Sequence, residues 1–276
     1  MKRAFGRIGL LCKDNDKSRA VGSRVAAYLD SKVLRGTLLG YLVEASTAKM
    51  VACKTRPGKF SPSSPKADCI IVVGGDGALL KSERDYPGVP KLLVNTGNVG
   101  FLSQLNEDFE KGLDLFLAGR FRVAEFPKMA VKIAGRTHEA LNDAYAFGAK
   151  PWRPVNFRVS SGFFDEIFYA NGIVFATPTG STAHSFSAGG PIVSPQLECL
   201  VATPVAPLNP LLRSIVFSAG EAICLEPIER KALLSVDGFE GLPFSHAEIS
   251  LSKSRARFVE VLEQDFMKRL RRKLFY

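Results

Sequence analysis

The chain has 276 residues, which is enough for one large domain or two of ordinary size. Hydrophobic residues make up 46% of it and aromatic residues 10%, a composition that excludes a disordered chain and supplies a large core. The formal net charge of +10 favours anionic partners such as nucleotides, polyphosphate, nucleic acid or acidic lipid, and does not choose among them. No apolar run approaches the ~18 residues that a membrane helix needs.

Cysteine usage indicates the compartment. The five cysteines are scattered and form no C-x-x-C pair, so neither a zinc site nor a disulfide framework is predicted. Free thiols persist best in a reducing compartment. The apolar stretch near the N-terminus, Ile8 to Cys12, is too short for a signal peptide. We therefore expect a cytoplasmic protein.

The first part of the chain alternates strand and helix patterns. Continuous apolar runs predict strands at 7–12, 38–43, 69–73 and 92–94. Asp16 is predicted to cap a helix whose apolar side chains recur every four residues, beginning with Val21. A segment rich in Pro, Ser and Gly, 55–66, is predicted to be a loop. This order predicts an α/β domain with a parallel sheet over residues 1–120.

Short alternating segments separated by turn residues follow after about residue 121. They predict strands at 122–133, 156–159, 166–169, 173–176, 215–217, 222–225, 233–236 and 247–251. The pattern predicts a β-rich, sandwich-like domain over residues 121–251. Apolar residues at four-residue spacing from Leu262 to Leu274 predict a C-terminal helix within 252–276, with its pattern extending from Phe258 to Phe275. We expect this helix to return to the first domain.

The segment Gly74-Gly75-Asp76-Gly77 directly follows the predicted strand at 69–73. Ligands of a parallel sheet bind outside the carboxyl ends of its strands, and glycines there let backbone N–H groups approach phosphate oxygens. An aspartate beside phosphates is costly unless it accepts a proton from an attacking hydroxyl or holds a metal ion. A plain tight turn is the competing interpretation. The loop is neither a Walker A sequence nor G-x-G-x-x-G.

Two further polar segments follow predicted strands. The segment from Asn95 to Phe101 follows the strand at 92–94, and Phe101 either stacks on a base or packs in the core. The segment from Thr177 to Pro191 combines hydroxyl-bearing and small residues with one of the three histidines, His184. Small side chains expose backbone N–H groups, so this segment is predicted to bind a polar, phosphate-bearing ligand. The alternative is a β-turn rich in Ser and Thr.

Taken together, these segments resemble the NAD kinase family over nearly the whole chain. The family's G-G-D-G is similar to Gly74 to Gly77, its N-x-G-x-x-G-F-L to Asn95 to Leu102, and its asparagine–acid pair to Asn142-Asp143. Its T-P-T-G-S-T-A-Y-S-x-S-A-G-G-P matches Thr177 to Pro191 with a single change, and its late S-x-D-G matches Ser235 to Gly238. G-G-D-G alone would indicate only the wider superfamily that includes lipid kinases and phosphofructokinases.

The resemblance implies an α/β domain, a β-sandwich-like domain and a homodimer or homotetramer. It implies a kinase that transfers a phosphoryl group from ATP or polyphosphate to the adenosine-ribose 2′-hydroxyl of NAD, giving NADP. Asp76 would be the general base, and Mg²⁺ or another divalent cation would accompany the donor phosphates. No metal site made of protein residues alone is implied. The residues implied to bind the nucleotides are Gly74, Gly75, Gly77, Lys81, Asn95, Phe101, Asn142, Asp143, Arg153, Asn171, Thr179, Thr182, Ala183, His184 and Ser187.

Several positions depart from the family pattern. Where the family has Thr, Glu, Asp, Tyr and His, this chain has Ala78, Asp143, Asn171, His184 and Leu208. Because Asp76 is intact, a working kinase is predicted. The alternative is a kinase of the same superfamily that acts on another ribose hydroxyl, a nucleoside or a polyol. An ordinary histidine has a pKa of about 6.5, so we expect His184 to titrate in the working pH range.

Two other classes of protein compete with the kinase. A hydrolase would use Ser181 or Ser185 with His184 and an acid, but these residues are too close in sequence for a triad, and no G-x-S-x-G is present. A nucleic-acid-binding module would account for the positive charge, but no RNP, helix-turn-helix or zinc pattern is present. The sequence therefore favours a kinase with NAD and ATP as small-molecule partners, and neither a membrane nor nucleic acid is expected.

Overall fold

The chain divides into two compact units, Met1–Glu125 with Ala256–Tyr276 as unit 1 and Phe126–Arg255 as unit 2. The computed structural model describes residues 5–97, 100, 102, 105–150, 153–162, 164–261 and 270–271. Each unit has its own hydrophobic core. Among the described residues, no helix is both long and apolar enough to cross a membrane.

Unit 1 is built on a parallel sheet with helices. Its elements are β1 (Ile8–Cys12), α1 (Asp16–Leu34), β2 (Leu42–Glu44), β3 (Gly58–Phe60), β4 (Cys69–Gly74), α2 (Asp76–Asp85), β5 (Lys91–Asn95) and α3 (Glu110–Leu117). The strand order is β5-β4-β1-β2-β3, and these pairings are parallel. All six residues of the central strand β4 are buried. A strand that is buried on both faces has a continuous apolar sequence, as β4 does.

Three boundaries in unit 1 differ from the sequence prediction. Asn15, not Asp16, caps α1, and its Oδ1 accepts a hydrogen bond from the backbone N–H of Ser18 at 2.8 Å. Both residue types are good caps, and the earlier cap leaves Asp16 in the first turn, where a negative charge is also favourable. β2 covers only the end of the predicted 38–43 strand, and β3 forms inside the predicted 55–66 loop because it pairs with β2.

Unit 2 is rich in β-strands. Its elements are β6 (Arg122–Ile133), β7 (Arg136–Ala140), β8 (Asp143–Gly148), β9 (Val155–Ser161), β10 (Phe164–Ala176), α4 (His184–Ser187), β11 (Cys199–Pro207), β12 (Ile215–Ser218), β13 (Ile223–Ile228), β14 (Ala232–Val236), β15 (Leu242–Phe244) and β16 (Ala247–Glu260). Residues 122–125 of β6 and 256–260 of β16 belong to unit 1. The order runs β15-β14-β8-β10-β9-β13-β16, with β11 next to β10 and β12 next to β11. The predicted fold class, an α/β domain followed by a β-rich domain, is confirmed.

One predicted break between strands is wrong. The segments 166–169 and 173–176 are parts of the single strand β10. Gly172, in the predicted gap, stays in the ladder, where it pairs with Phe147 of β8 and Val205 of β11. Pairing on both edges keeps this glycine extended, although an isolated glycine weakens a strand.

The predicted start of the C-terminal helix is also wrong. Residues 252–260 continue β16, and Phe258 pairs with Lys91 of β5. The four-residue spacing that predicts the helix begins at Leu262, so it does not compete with strand pairing at 252–260. Beyond Val261 only Leu270 and Arg271 are described, and both are helical. The rest of the predicted helix lies outside the described residues.

Alternation along β8 separates the core of unit 2 from a second face. Ala144 and Ala146 belong to the hydrophobic core. Because side chains alternate along a strand, Asp143, Tyr145 and Phe147 lie on the opposite face. The helix α4, which follows β10, contacts β10 and β11.

Candidate active site

The Gly74–Gly77 loop is the junction between β4 and α2. Gly74 ends β4, Gly75 precedes the helix, and the half-buried Asp76 is its first residue. The carboxylate of Asp76 therefore lies at the positive end of the α2 dipole, where a negative charge is typically stabilised by about 0.3–1 kcal/mol. The interaction with the helix dipole is a structural reason for an acid at position 76. It does not explain why glycines surround this acid.

The opposite end of α2 is anchored in the core. Lys91, buried at the start of β5, forms an ion pair with Glu83 of α2. Its Nζ also donates to the backbone carbonyls of Tyr86 at 2.7 Å and Val89 at 2.8 Å. A buried charge that is paired and hydrogen-bonded in this way holds α2, and with it Asp76, in place.

Packing requires glycine at only one position of the loop. A Cβ on Gly74 would lie 2.5 Å from the Cβ of Ala78, so the packing of β4 against α2 requires glycine there. A Cβ on Gly77 would meet no described atom within 4 Å, and the nearest atom to a Cβ on Gly75 would be Oδ1 of Asn95 at 4.0 Å. Neither has a left-handed φ. Packing does not require glycine at these two positions, whereas close approach of a phosphate would.

The loop after β5 begins beside the Gly74–Gly77 loop. Asn95 pairs with Gly74 in the parallel ladder, and the N–H of Thr96 donates to the carbonyl of Gly74 at 3.1 Å. Asn95 is buried, and its Oδ1 accepts a hydrogen bond from the N–H of Gly97 at 3.1 Å. The side chain of Asn95, predicted to bind a nucleotide, therefore shapes its own loop.

Gly100 and Lys81 bear on the surroundings of Asp76. A Cβ on Gly100 would overlap the Asp76 carboxylate, so glycine at position 100 allows this loop to approach the acid. The Lys81 side chain is 62% exposed, and its Nζ lies 2.6 Å from Oδ2 of Asp85. An exposed pair of this kind contributes little to stability, which leaves Lys81 able to exchange it for a phosphate. Phe101 lies outside the described residues.

In unit 2 the carboxylate of Asp237 holds the backbone of the Asn142-Asp143 pair. Its Oδ2 accepts the N–H of Leu141 at 2.7 Å, and its Oδ1 accepts those of Asn142 and Asp143 at 2.8 and 3.1 Å. The N–H of Asp237 donates to the carbonyl of Asp143 at 2.8 Å. Asp237 has a φ of 49°, a left-handed conformation that Asp tolerates better than most residues. These bonds fix the entry into β8.

Burial perturbs both acids of this group. Burial, and then the neighbouring charge of Asp237, raises the pKa of Asp143 to about 7. Burial also raises the pKa of Asp237, although three backbone N–H groups and the positive charge of Lys128 act to lower it. Near neutral pH, the fixed N–H donors stabilise one negative charge on this pair of carboxyl groups, and ionising the second carboxyl group costs free energy. The two acids therefore titrate as a pair.

The segment from Thr177 to Pro191 packs on the same backbone. The N–H of Thr177 donates to the carbonyl of Asn142 at 2.9 Å, and its hydroxyl donates to the carbonyl of Leu141 at 2.5 Å. A Cβ on Gly180 would overlap the backbone of Asn142, so glycine allows the two segments to touch. The structure thus brings the third motif and the asparagine–acid pair together.

The same segment presents polar groups with few internal partners. Oγ1 of Thr179 is buried and has no hydrogen-bond partner among the described residues. Thr182 makes a long hydrogen bond of 3.3 Å to the carbonyl of Thr179. Ser187 is exposed and donates to the carbonyl of the half-buried Ala183 at 3.4 Å. A buried hydroxyl without a partner needs one from outside, so this segment is suited to a polar ligand.

His184, Tyr145 and Phe147 form a row of rings. The ring centroids of His184 and Tyr145 are 4.6 Å apart, edge to face, and Tyr145 stacks on Phe147 at 5.0 Å. Tyr145 lies two residues after Asp143 on the same face of β8. Burial lowers the pKa of His184 and raises that of Tyr145, so both rings are largely uncharged at neutral pH. Such a half-buried row is suited to contact with a planar base.

Three other predicted or departing positions lie around this region. Asn171 is half-buried in β10, next to Gly172, and a Cβ on Gly172 would lie 2.5 Å from Cε2 of Tyr145. Arg153 is exposed in the loop between β8 and β9. This loop is at the opposite end of β8 from Asp143. Leu208, where the family has a histidine, is 69% exposed.

Comparison with known proteins decides the family. The ATP-NAD kinase N-terminal domain matches residues 8–121, and the ATP-NAD kinase C-terminal domain matches residues 154–261. The NAD kinase of Symbiobacterium thermophilum is 37% identical over 236 residues, which cover 79% of this chain and 83% of that protein. The chain belongs to the NAD kinase family. The NAD kinase of Methanopyrus kandleri is 36% identical over 202 residues, covering 70% of this chain and 73% of the relative.

Solved structures of NAD kinases share the fold. Yeast NADH kinase complexed with NADH has a TM-score of 0.86 at 20% identity, covering 98% of this chain and 87% of that chain. An NAD kinase from Archaeoglobus fulgidus in complex with ATP has a TM-score of 0.75 at 26% identity, covering 98% and 97%. The predicted NAD kinase family, fold class and enzyme class are confirmed.

Two residues beside the predicted NAD kinase site carry no role in the sequence prediction. The Ser235–Gly238 motif contains Asp237, but it does not reveal the partner of this acid, Asn142, which is 95 residues away. Tyr145 lies between Ala144 and Ala146 in β8, and its sequence position is that of an ordinary strand residue. No pattern in the sequence links it to His184. Only the fold reveals that these residues lie together.

Proposed function

We propose that this chain transfers the terminal phosphoryl group of ATP to the 2′-hydroxyl of the adenosine ribose of NAD, giving NADP and ADP. The observation that carries the proposal is the position of Asp76. It begins α2 directly after the buried strand β4, next to the open space beside Gly77, and the carboxylate lies close to the backbone at Gly100. Membership of the NAD kinase family supports the same reaction.

In the proposed reaction, Asp76 is the general base. Its carboxylate accepts the proton of the 2′-hydroxyl as that oxygen attacks the terminal phosphorus of ATP. The bond between this phosphorus and the bridging oxygen of ADP breaks, and ADP leaves. Backbone N–H groups of Gly75 and Gly77 hold phosphate oxygens at the N-terminus of α2, and Lys81 adds a positive charge one turn later.

A divalent cation such as Mg²⁺ fits the residues around Asp76. The described part of the chain holds no cluster of three or more His, Cys, Asp or Glu side chains that could bind an ion unaided. Mg²⁺ is usually bound through one or two carboxylates together with substrate phosphates, and Asp76 supplies a carboxylate at a phosphate-binding loop. Once bound, the ion would offset the charge of the donor phosphates. The same loop would also accept the phosphate chain of inorganic polyphosphate.

The acceptor in this proposal is bound by unit 2. Asn142 and Asp143 hold ribose hydroxyls from a backbone that Asp237 fixes. A protonated Asp143 can donate as well as accept a hydrogen bond, which suits a hydroxyl ligand. The ring of His184, supported by Tyr145, packs against a base. The other acceptor-binding residues we propose are Asn171, Thr179, Thr182, Ala183 and Ser187 of unit 2, together with Phe101, whose role only the family resemblance implies.

We also propose that the enzyme is a cytoplasmic homo-oligomer. Between positions 186 and 216, unit 2 exposes the large apolar side chains Phe186, Ile192, Leu197, Leu208, Leu211 and Val216. Exposed apolar surface of this kind is typical of a face that another subunit covers. All five cysteines are free, which suits a reducing compartment. Light scattering after size exclusion tests the assembly: a monomer at micromolar concentration would contradict this part of the proposal.

Substitution of the base tests the reaction. The wild type and Asp76→Asn are incubated with ATP, Mg²⁺ and NAD, and NADP is measured with an NADP-specific dehydrogenase. We expect Asp76→Asn to lower kcat by about 10²–10⁴ while the fold is kept. Asp16→Asn is the matched control, because it also removes an acid from the first residue of a helix, and it should keep wild-type turnover. Near-normal turnover of folded Asp76→Asn would refute the role of Asp76.

A further inference from the structure

A second surface of unit 2 gathers positive charge around a small cavity. The cavity has a volume of about 250 Å³ and lies between the β8–β9 loop and the β13–β14 turn. Its lining consists of Gly148, Ala149, Lys150, Arg153, Val155, Arg230 and Lys231. We call Lys150, Arg153, Arg230 and Lys231 the basic cluster. Within the described part of the chain, no acidic side chain lines this cavity.

The basic cluster lacks the carboxylate partners that several other cations of unit 2 have. None of its four side chains forms an ion pair with a described residue. By contrast, Arg158 pairs with Asp165 at 2.6 Å and Arg255 with Glu198 at 2.5 Å. Glu229, next to the cluster in sequence, does not line the cavity. Four like charges around one concavity repel each other, which lowers stability unless an anion lies among them.

Hydrogen bonds join the two segments that carry the basic cluster. Nη1 of Arg230 donates to the backbone carbonyl of Pro154, in the β8–β9 loop. The N–H of Ala149 donates to the carbonyl of Lys231 at 3.0 Å. Within the loop, the N–H of Arg153 donates to the carbonyl of Lys150 at 3.0 Å. The cations are therefore held together by the fold before any ligand arrives, which reduces the ordering that binding requires.

We propose that the basic cluster is a second binding site, for a small anion that bears one or two phosphate groups. Guanidinium groups match phosphate oxygens with two parallel hydrogen bonds, and the ammonium groups add charge. The volume of about 250 Å³ is smaller than the ~300–1,000 Å³ of sites for drug-sized ligands, so it suits a diphosphate group and not a whole dinucleotide. The site shares no residue with the Asp76 loop or with the Asn142-Asp143 pair. Arg153, which the family resemblance implies to bind a nucleotide of the reaction, belongs to this second site.

Pyrophosphate and thermal unfolding of the full chain test the proposal. The melting temperature is measured with increasing pyrophosphate at constant ionic strength, with sodium chloride as the balancing salt. Three proteins are compared: the wild type, Arg230→Gln/Lys231→Gln, and the control Arg136→Gln/Lys253→Gln, which removes two exposed cations elsewhere in unit 2. Any binding of pyrophosphate near Asp76 is common to all three, so the difference between them reports the basic cluster alone.

We expect pyrophosphate to raise the melting temperature of the wild type and the control by several degrees, and to have a much smaller effect on Arg230→Gln/Lys231→Gln. If that variant does not fold, Lys150→Gln/Arg153→Gln removes the other two cations and should show the same loss. An equal rise in all three proteins, or no rise in the wild type beyond that of sodium chloride, would overturn the proposal. Neither result bears on phosphoryl transfer, which is measured separately.

Discussion

Replacing Asp143 with asparagine tests the buried acid pair at the start of β8. Asp143 is 8% exposed, and its pKa is about 7 in the folded protein against 3.8 in the unfolded chain. Folding therefore takes up a proton between these two values. Because the folded pKa is the higher one, this contribution to stability is fully present below the unfolded pKa and is lost as the pH rises through the folded pKa.

The magnitude follows from the size of the shift. About three pKa units correspond to about 4 kcal/mol, of which about 2.5 kcal/mol falls between pH 5 and pH 8. Asparagine resembles the protonated acid in shape and does not ionise. The free energy of unfolding of Asp143→Asn, relative to that of the wild type, should therefore increase by about 2.5 kcal/mol from pH 5 to pH 8. Because Asp143 and Asp237 titrate as a pair, the difference between the two proteins reports the pair and not Asp143 alone.

Urea unfolding at several pH values measures this difference. The single tryptophan, Trp152, lies nine residues after Asp143 in the sequence, and its fluorescence is followed together with the far-UV circular dichroism of the whole chain. Asp165→Asn is the matched control. The hydrogen bond from Arg158 holds the pKa of Asp165 below its ordinary value, so this control should differ from the wild type by a constant amount over the same range. Parallel pH profiles for Asp143→Asn and the wild type would refute the assignment of a raised pKa.

Three further predictions concern the site. Gly77→Ala should keep or raise stability, because alanine is favoured over glycine inside a helix by about 0.5–1 kcal/mol, but it should lower kcat/KM for ATP. Gly74→Ala should lower the melting temperature, because its Cβ would lie 2.5 Å from that of Ala78. Equal melting temperatures and equal kcat/KM values for the two variants would contradict the different roles of these glycines. Burial lowers the pKa of His184, so KM for NAD should change with pH mainly below about pH 6.5, and His184→Tyr should remove that change; identical profiles would rule out contact with NAD. Tyr145→Ala should raise KM for NAD by about tenfold and leave KM for ATP unchanged, and a shared change in both constants would indicate a general loss of structure.

Features carried by adjacent residues could be predicted from the sequence. The buried run of β4 and the glycines after it are neighbours in the chain, so the strand, the loop and the position of Asp76 follow from a few residues. The same holds for β6, whose bounds match the prediction because its alternation and its flanking turn are both local. The family resemblance supplied the candidate nucleotide-binding residues.

Features that depend on distant pairing could not be predicted in this way. Residues 252–260 extend β16 because they pair with other strands, although the sequence prediction placed them in the C-terminal helix. Asp237 holds Asn142 through bonds that cross 95 residues of sequence. The basic cluster likewise joins two loops that the pairing of β8 with β14 and of β9 with β13 brings together. Choices between equivalent residues, such as Asn15 over Asp16 as the cap of α1, are also settled by the fold.

The position of the new phosphate tests the central claim most directly. The wild-type chain is incubated with ATP, Mg²⁺ and NAD, and the purified product is examined by phosphorus NMR with proton coupling. We predict a single new phosphate monoester, on the 2′ oxygen of the adenosine ribose, formed only when ATP is present. A product phosphorylated on another hydroxyl, or no ATP-dependent consumption of NAD by the folded protein, would contradict the proposed function.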